Sequence, residues 1–335
     1  MNIVKNKVLI LGISSFAGSS FANYLLNKST FKIFGTYNNK NKLPFDLFLK
    51  KNKRYKSLKL FKLDLSDNKN SLEKINNLIR PNYIIDFASI CMVNESWLYP
   101  KYYYQVNFFS KIEFIKNLCN QKKLRKYIYI GTPEIFGSGN KPIKENSMMY
   151  NPSTPYASSK LALEMFLNNF IQNPINKIII ARFSNFYGKG QPIHRLIPRL
   201  VYCINKKKKF PLHGFGKTKR NFIFEDDFNR GLMKVITNGK IGSKYHFSGE
   251  KYFTIKDVIK NVLNIKKYSW DKLIEQSIER KGKDKNYYLD CAKTKRELRW
   301  RCKVTLKIGI KKTVKYYDSI INNINQKDIN FKIKK

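Results

Sequence analysis

Short apolar runs alternate with stretches of helical periodicity through the first half of this 335-residue chain. The apolar runs predict buried strands near residues 7–11, 31–36, 58–63, 83–87, 126–130 and 177–182. Helical patterns separate these runs near residues 17–27, 70–79, 101–120 and 156–171. Because helices between buried strands can cover both faces of a parallel sheet, this order predicts an α/β fold with a doubly wound parallel sheet.

The pattern changes after about residue 183 to shorter and more mixed elements. Helices are expected at residues 195–205, 226–237, 255–264 and 306–321. Thr254 and Thr305 precede two of them and suit the N-cap, where a threonine hydroxyl accepts a hydrogen bond from a free backbone N–H. We therefore predict a first domain over residues 1–183, a smaller mixed α/β lobe that occupies mainly residues 184–324, and a basic tail over residues 325–335.

Net charge is the unusual feature of the composition. The chain has 66 lysines and arginines against 23 aspartates and glutamates, which gives a formal charge of +43. Such an excess can attract nucleic acid or an anionic membrane surface. The lysines are nevertheless spread along the chain, and the longest run is Lys206–Lys209. We interpret the charge as compositional drift at surface positions, so nucleic acid is not among the predicted partners.

Other features of the composition indicate a cytoplasmic globular protein. No stretch approaches the roughly 18–20 apolar residues of a membrane span, and the N-terminus runs into the first strand without a visible signal peptide. The five cysteines lack paired C-x-x-C spacing, which is typical of reduced thiols rather than of a disulfide framework. The three histidines are widely spaced, so no metal site is predicted.

A glycine turn follows the first apolar run. Gly12 and Gly18 come next and a helical pattern follows, which is the order of strand, turn and helix that dinucleotide-binding units use. Gly12 would permit a tight turn, Gly18 would permit close packing of helix against strand, and the helix N-terminus would face a pyrophosphate. The middle glycine position carries Ser15, which is grouped with Phe16 as a candidate cofactor contact. An ordinary strand-to-helix turn is the alternative.

Tyr156 and Lys160 lie four residues apart in the segment Tyr-Ala-Ser-Ser-Lys. In a helix this spacing places both side chains on one face. A free tyrosine has a pKa of about 10 and is a poor base at neutral pH, whereas a neighbouring ammonium group favours the phenolate and lowers that pKa. The pair can therefore exchange a proton with a sugar or alcohol hydroxyl. The alternative is a pair of side chains on a solvated helix face.

These segments together resemble the extended branch of the short-chain dehydrogenase/reductase superfamily, whose members act on nucleotide sugars. The resemblance runs from Lys7 to about Tyr317. Its further segments, in the family's order, are Leu63-Asp64-Leu65, Asp86-Phe-Ala88-Ser89, Asn107, Arg182 through Gly188, Arg220 through Asp227, and Arg280 through Trp300. The resemblance implies a Rossmann-type sheet as the NAD(P)-binding domain, a nucleotide-sugar site in the second lobe, and an enzyme.

The resemblance also implies roles for single residues near the cofactor. Asp64, with Leu65 beside it, matches the residue that contacts the adenine. Ala88 matches the segment that lines the cofactor, and Asn107 matches an asparagine that helps to hold the site. Lys160 would bind the nicotinamide ribose in addition to acting on the tyrosine.

The end of the second strand bears on the choice of cofactor. An acidic residue there binds the ribose 2′-hydroxyl of NAD, whereas basic residues accommodate the 2′-phosphate of NADP. The segment Gly35-Thr-Tyr-Asn-Asn-Lys40 contains no acid. This favours NADP and leaves NAD open, in either case tightly bound and recycled within the turnover.

The segment Gly131–Gly137 resembles the catalytic turn of 4,6-dehydratases, in which a threonine is followed two residues later by a glutamate. Thr132 and Glu134 have that spacing. The resemblance implies that Tyr156 takes the proton of the sugar C4 hydroxyl while C4 gives hydride to the nicotinamide. Thr132 would hydrogen-bond the C4 oxygen. Glu134 would then remove the C5 proton, the C6 hydroxyl would leave as water, and hydride would return to C6.

Pro133 departs from one part of this pattern. The dTDP-glucose dehydratases carry an aspartate there as the acid for the departing hydroxyl, and GDP-mannose-type dehydratases lack it, as this chain does. Alternatives therefore stay open: a C4-epimerase, an enzyme like UDP-glucuronate decarboxylases, and a keto-sugar reductase. A non-catalytic, cofactor-bound scaffold that binds RNA or a protein partner is a further alternative.

The predicted partner is a nucleotide-diphosphate sugar, whose base and sugar the sequence leaves open. Its candidate contacts are Asn185, Arg195, Arg220 and Lys285. The resemblance also implies a homodimer, built from the helices at residues 101–120 and 156–171.

Overall fold

The structure is a computed structural model that describes residues 6–38, 49–67, 71–278 and 284–324. The predicted basic tail lies outside the described residues. Arg280 and Lys281, which belong to the C-terminal segment of the resemblance, also lie outside them.

One large sheet organises the described part of the chain. The strands there are β1 (Lys7–Leu11), β2 (Lys32–Tyr37), β3 (Lys59–Lys62), β4 (Tyr83–Asp86), β5 (Lys126–Gly131), β6 (Pro142–Ile143), β7 (Ile178–Phe183), β8 (Asn185–Tyr187), β9 (Phe210–His213), β10 (Lys219–Phe224), β11 (Lys244–Phe247), β12 (Tyr252–Thr254), β13 (Ile274–Ser277) and β14 (Tyr288–Leu289). Seven of these strands form a parallel sheet in the order β11-β7-β5-β4-β1-β2-β3. The direction of winding reverses between β1 and β4, which is where open α/β sheets bind ligands.

Helices cover both faces of this sheet and build the second lobe. Those lying wholly within the described ranges are α1 (Phe16–Lys28), α2 (Ser71–Ile79), α3 (Val93–Leu98), α4 (Pro100–Asn107), α5 (Ile112–Lys116), α6 (Pro155–Ile171), α7 (Leu196–Asn205), α8 (Glu225–Asn238), α9 (Ile255–Lys266), α10 (Trp270–Leu273), α11 (Ala292–Leu298) and α12 (Leu306–Ile320). The expected α/β fold with a doubly wound parallel sheet is confirmed.

Alternation along β1 shows how the two faces are filled. Val8 and Ile10 belong to one buried cluster, which also contains apolar side chains of α1 and α8. Leu9 and Leu11 point to the other face and belong to a cluster with α2, α5 and α6. Successive side chains of a strand point to opposite faces, and all four of these are fully buried. A continuous apolar run is therefore what a strand buried on both faces requires.

The second lobe has its own buried cluster. Apolar side chains of α7, α9 and α12 pack together there with those of β9. Smaller sheets border it: β10 lies between β8 and β12, β9 pairs with β13, and β6 pairs with β14. Thr254 and Thr305 cap α9 and α12 by accepting backbone N–H groups of Asp257 and Ile308, as predicted.

Several elements, such as α3, were not predicted, and two further differences concern a predicted helix and a strand of the large sheet. The helix predicted over residues 101–120 is divided, because α4 ends at Asn107 and a 3₁₀ turn over Phe109–Lys111 precedes α5. The side chains of Asn107 and Lys111 bond to the segment after β4, which overrides the local helical pattern. The strand β11 was not predicted; it follows α8 in the second half of the chain, yet it pairs with β7 in the large sheet.

None of the helices in the described ranges combines the length and apolar character needed to cross a membrane. Likewise, the described residues contain no group of three or more His, Cys, Asp or Glu side chains placed to hold a metal ion.

Candidate active site

The turn between β1 and α1 is built on two glycines. Gly12 has a φ of 75°, a conformation that side chains other than glycine rarely adopt. A Cβ atom at Gly12 would lie 3.0 Å from the backbone of Ala88, and a Cβ at Gly18 would lie 2.4 Å from the carbonyl oxygen of Gly12. The tight turn and the close helix–strand packing expected for these two residues are therefore both present.

Ser15 has a local role that the sequence did not reveal. It is the N-cap of α1, and its hydroxyl oxygen accepts a hydrogen bond of 3.0 Å from the backbone N–H of Gly18. A serine thus satisfies one free donor of the first helical turn, which a glycine at the same position could not do with a side chain. The departure from a glycine pattern strengthens the helix start that the cofactor would face.

A cavity of about 730 Å³ opens at the carboxyl ends of the central strands. Its volume is within the usual range for pockets that bind small molecules. The sheet side contributes the turn after β1, the segments after β4 and β5, and part of α6. The second lobe closes the other side with the segments after β7 and β8, α7, β9 and β10. The cavity therefore lies at the switch point between β1 and β4.

Thr132 and Glu134 stand together on the cavity wall at the end of β5. Thr132 is the N-cap of a short 3₁₀ turn, and its hydroxyl accepts the backbone N–H of Glu134 at 3.3 Å. Pro133 occupies the first position of that turn, where a backbone N–H is not needed. Burial raises the pKa of the half-buried Glu134 to about 7, while Arg220 opposes the rise and Asp284 adds to it. A carboxyl with this pKa can accept and return protons near neutrality.

Tyr156 and Lys160 lie in the first two turns of α6 and both line the cavity. The Lys160 ammonium donates a hydrogen bond of 2.9 Å to the carbonyl oxygen of Ile130 and lies 4.3 Å from the centroid of the Tyr129 ring. The tyrosine and lysine thus share one helix face that meets the cavity, as their spacing predicted, and both are buried rather than solvated.

The expected effect of Lys160 on Tyr156 is not found. Burial raises the pKa of Tyr156 well above 10, and the neighbouring Glu134 adds to the rise. A hydrogen bond with Thr132 and the charge of Arg195 act in the opposite direction. Burial also lowers the pKa of Lys160 to about 7. The prediction of a depressed tyrosine pKa is therefore wrong for this arrangement, because loss of solvent outweighs the hydrogen bond with Thr132 and the charge of Arg195.

Asn107 connects two segments of the site through buried hydrogen bonds. Its Oδ1 accepts the backbone N–H of Ile90 at 2.8 Å, and its Nδ2 donates to the carbonyl oxygen of Ile90 and to the hydroxyl of Ser159. The residue is fully buried. It therefore ties the segment after β4, which lines the cavity, to the helix that carries Tyr156.

Three other predicted cofactor residues are not among those that line the cavity. Asp64 Oδ1 accepts hydrogen bonds from the N–H and hydroxyl of Ser66 in the turn after β3. Leu65 is buried in the same turn. The backbone N–H of Ala88 donates to Asp86. Phe16, by contrast, is one of the lining residues and stacks on Phe186.

Three of the four predicted substrate contacts line the cavity, namely Asn185, Arg195 and Arg220. Lys285 is not in the lining. Its backbone carbonyl oxygen accepts a hydrogen bond from Arg220 at 3.2 Å, so it supports the arginine rather than the cavity. Arg220 also donates to the carbonyl oxygen of Asp284 at 2.7 Å.

Sequence reasoning missed several lining residues. Tyr287 donates a hydrogen bond of 2.7 Å to Asn185 Oδ1 and lies under the Arg220 guanidinium at 4.7 Å. The stretch around Lys285 contained the signal for Tyr287 and Asp284. Cys91 could not have been found in this way, since its thiol accepts from Arg195, 104 residues away, at 3.2 Å.

Comparison with known proteins identifies the family. Residues 9–313 match the family model described as GDP-mannose 4,6 dehydratase. The chain belongs to that family. Membership confirms the resemblance to NAD(P)-dependent nucleotide-sugar dehydratases and epimerases, and it makes this protein an enzyme of that class.

Curated members of the family match over nearly the whole chain. A probable dTDP-glucose 4,6-dehydratase from Sinorhizobium fredii is 26% identical over 329 residues, covering 93% of this chain and 92% of that relative. The dTDP-glucose 4,6-dehydratase from Haemophilus influenzae is 27% identical over 337 residues, covering 92% of this chain and 97% of that relative.

Solved structures share the fold. A dTDP-glucose 4,6-dehydratase from Streptomyces venezuelae, solved with NAD, has a TM-score of 0.84 at 23% identity, covering 93% of this chain and 97% of its own. A UDP-glucuronic acid 4-epimerase from Bacillus cereus, solved with UDP-glucuronic acid and NAD, has a TM-score of 0.83 at 23% identity, covering 94% and 99%. Likeness at this identity establishes the fold alone, which both reactions use.

The residues at the first turn fit an NAD-type dinucleotide. Added Cβ atoms at Gly12 and Gly18 would fill the space where backbone segments approach each other. The residues Ser14 through Ala17 line the cavity at the start of α1, and a helix N-terminus attracts phosphate through its free N–H groups and dipole.

Proposed function

We propose that this enzyme is a nucleotide-sugar 4,6-dehydratase that makes an NDP-4-keto-6-deoxy sugar. The observation that carries the proposal is Glu134, whose pKa burial raises to about 7 in the same cavity wall as Thr132 and Tyr156. Oxidation at C4 alone needs only the tyrosine, the threonine and the lysine. A second proton-transfer group is required when a C–H bond beside the new ketone must also be broken.

In the first step, Tyr156 must be a phenolate to receive the proton of the C4 hydroxyl, and Thr132 hydrogen-bonds the same oxygen. When bound, the cofactor would accept hydride from C4 in its oxidised form, whose positive charge favours the phenolate, and would supply hydride to C6 in its reduced form. The hydrogen bond with Thr132 and the charge of Arg195 already oppose the rise in the pKa of Tyr156. Lys160, on the same helix face, is the proposed ribose contact.

In the elimination step, Glu134 removes the C5 proton, which the C4 ketone makes acidic. The C6 hydroxyl then leaves and takes up a proton to form water. Pro133 has no proton to give, so we propose that Glu134 passes on the proton it has just accepted. A solvent proton taken up at C5 completes the product once C6 has been reduced.

We propose NAD as the cofactor, on the solved relatives that hold it. The end of β2 carries Thr36, Tyr37 and Asn38 and no acid. The sequence-based preference for NADP is therefore the alternative, and equilibrium binding of both dinucleotides decides between them.

The cationic side of the cavity fits the diphosphate of the substrate. Arg195 and Arg220 both line it. A guanidinium group can donate two parallel hydrogen bonds to the oxygens of one phosphate. Asn185, held by the hydroxyl of Tyr287, is the proposed sugar contact. The nucleotide base stays open among the dTDP, GDP, CDP and UDP classes.

We also propose a homodimer and a cytoplasmic location. Support for the dimer comes from large apolar side chains around α3, α4 and α6 that are about half exposed, namely Trp97, Phe109 and Met165. Mass measurement in solution tests the dimer.

The test of the function is a substrate panel. The purified enzyme is incubated with dTDP-glucose, GDP-mannose, CDP-glucose, UDP-glucose, UDP-N-acetylglucosamine and UDP-glucuronate, with NAD or NADP, and the products are weighed by mass spectrometry. Loss of one water from one substrate supports the proposal. An unchanged mass with a new C4 epimer would make the enzyme an epimerase, and loss of carbon dioxide would make it a decarboxylase.

A further inference from the structure

Two buried lysines lie close to one aromatic ring beneath the cavity. The ammonium nitrogen of Lys160 is 4.3 Å from the centroid of the Tyr129 ring, and that of Lys111 is 5.9 Å from the same centroid. The two nitrogens are therefore at most about 10 Å apart, a distance at which charges in a protein interior still interact. Lys111 is 1% exposed, so solvent does not separate the pair.

Asp86 holds the second of these cations. The ammonium group of Lys111 donates to Asp86 Oδ1 at 2.9 Å and to Asp86 Oδ2 at 2.7 Å. The hydroxyl of Tyr127 also donates to Asp86 Oδ2 at 2.7 Å. Since both charged groups are buried, each depends on the other for compensation.

The same ion pair reaches the wall of the cavity. Lys111 donates a third hydrogen bond, of 2.6 Å, to the carbonyl oxygen of Ala88, whose own N–H donates to Asp86 at 2.9 Å. The neighbours Phe87 and Ser89 line the cavity. Ala88 also packs against Gly12, because a Cβ at that glycine would lie 3.0 Å from it. Both the carbonyl oxygen and the N–H of Ala88 are thus held by the ion pair.

We propose that Lys111 and Asp86 act as a positioning pair for the cofactor side of the cavity. The pair fixes the backbone of Phe87–Ser89 and keeps a second ammonium group near Lys160. The inference rests on the proposed function for the role of Lys160, but its tests use no sugar substrate.

The ammonium group of Lys111 affects the protonation of Lys160. Burial lowers the pKa of Lys160 to about 7, and the charge of Lys111 is the next cause in the same direction. The groups that raise this pKa are Asp86, Cys91 and Glu164. Tyr156 on the same helix face and Tyr129 on β5 are the other titratable side chains beside it. Removal of Lys111 therefore leaves a higher pKa at Lys160.

The first experiment measures that protonation directly. The enzyme is treated with a trace of acetic anhydride across pH 5–10, and the acetylation of Lys160 is followed by mass spectrometry. The variants are Lys111→Met and the neutral pair Asp86→Asn/Lys111→Met, with Lys116→Met on the exposed end of α5 as the control. We expect the midpoint for Lys160 to rise by about half a pH unit or more in Lys111→Met. The rise is smaller in the neutral pair, which also loses an anion, and the control matches the wild type.

The second experiment measures binding of NAD by calorimetry at one pH. Both Lys111 variants lose the hydrogen bond to the Ala88 carbonyl, so we expect affinity to fall at least threefold in each. If Lys111→Met does not fold, the NAD affinity of the neutral pair, which leaves no buried charge unpaired, decides the question.

Either of two results overturns the proposal. One is a Lys160 midpoint in Lys111→Met that equals the wild type, and the other is unchanged NAD affinity in the neutral pair. Failure of the enzyme to remove water from any nucleotide sugar would overturn the proposed reaction and leave both of these measurements interpretable.

Discussion

The guanidinium group of Arg182 in β7 forms a buried ion pair with the carboxylate of Glu164 in α6. Arg182 Nε donates to Glu164 Oε2 at 3.1 Å, and Arg182 Nη1 donates to the carbonyl oxygen of Glu145 at 3.0 Å. His246 of β11 lies 2.6 Å from the same Nη1. Glu164 follows Lys160 by four residues, so this pair ties the helix that carries Tyr156 and Lys160 to the central sheet.

Removing one partner of this pair is expected to destabilise the enzyme strongly. Arg182→Met leaves the Glu164 carboxylate buried without its cation, which costs about 3–5 kcal/mol. Urea unfolding measures the loss. The control is Lys116→Met, which removes an exposed contact to Glu113 and changes the free energy of unfolding by about 0.5 kcal/mol or less. Equal effects of the two changes would contradict the role given to the buried pair.

Gly18→Ala is expected to disturb the cofactor turn. The added Cβ would lie 2.4 Å from the carbonyl oxygen of Gly12, so the backbone must shift. We expect NAD affinity to fall about tenfold or more and the free energy of unfolding to fall by about 1–3 kcal/mol. Gly139→Ala is the matched control, since its Cβ would meet no atom within 4 Å. A Gly18→Ala enzyme that binds NAD as the control does would argue against the turn as the dinucleotide site.

The rate of dehydration is expected to depend on the ionisation of Glu134. The step at C5 needs the carboxylate, and burial raises the pKa of Glu134 to about 7. The rate constant for elimination should therefore rise with pH through about 7 and level off above it. Single-turnover measurements across pH 5.5–8.5 test this. A rate constant that stays level over this whole range, as expected for a carboxyl with the ordinary pKa of 4.5, would contradict a base with a raised pKa.

Glu134 should also cost stability where it is ionised. Its pKa is higher in the folded protein than in the unfolded chain, so the folded state binds more protons between about pH 4.5 and 7. Stability therefore falls as pH rises through that window. Glu134→Gln removes this loss. At pH 8 we expect its free energy of unfolding to exceed that of the wild type by about 1–2 kcal/mol. At pH 4.5 the wild type and the variant should be nearly equal in stability. Equal stability at both pH values would show that the Glu134 carboxylate is not destabilised by burial.

The regular part of the fold followed from sequence because local pattern and tertiary packing agree there. The run Lys7–Leu11 is apolar at every position that becomes buried, and Gly12 permits the turn that follows. The prediction of one continuous helix over residues 101–120 was wrong because the side chains of Asn107 and Lys111 form hydrogen bonds with the segment after β4. Contacts between segments so far apart have no signature in local periodicity.

Part of the site could be found by spacing, and part could not. Tyr156 and Lys160 share a helix, and Thr132 and Glu134 share a turn, so short motifs reveal them. The environment of these groups comes from the whole fold. The pKa of Tyr156 was predicted to fall and instead rises, because its surroundings exclude water. Similarly, the thiol of Cys91 meets Arg195 only because the second lobe closes over the sheet.

Dehydration in deuterated water tests the central claim most directly. The wild-type enzyme is incubated with NAD and the nucleotide sugar that it accepts, and Glu134→Gln is treated in parallel. The account predicts a wild-type product that has lost one water and carries one solvent deuterium at C5, and no loss of water in the variant. A product of unchanged mass that is the C4 epimer, or loss of water that persists in Glu134→Gln, would contradict it.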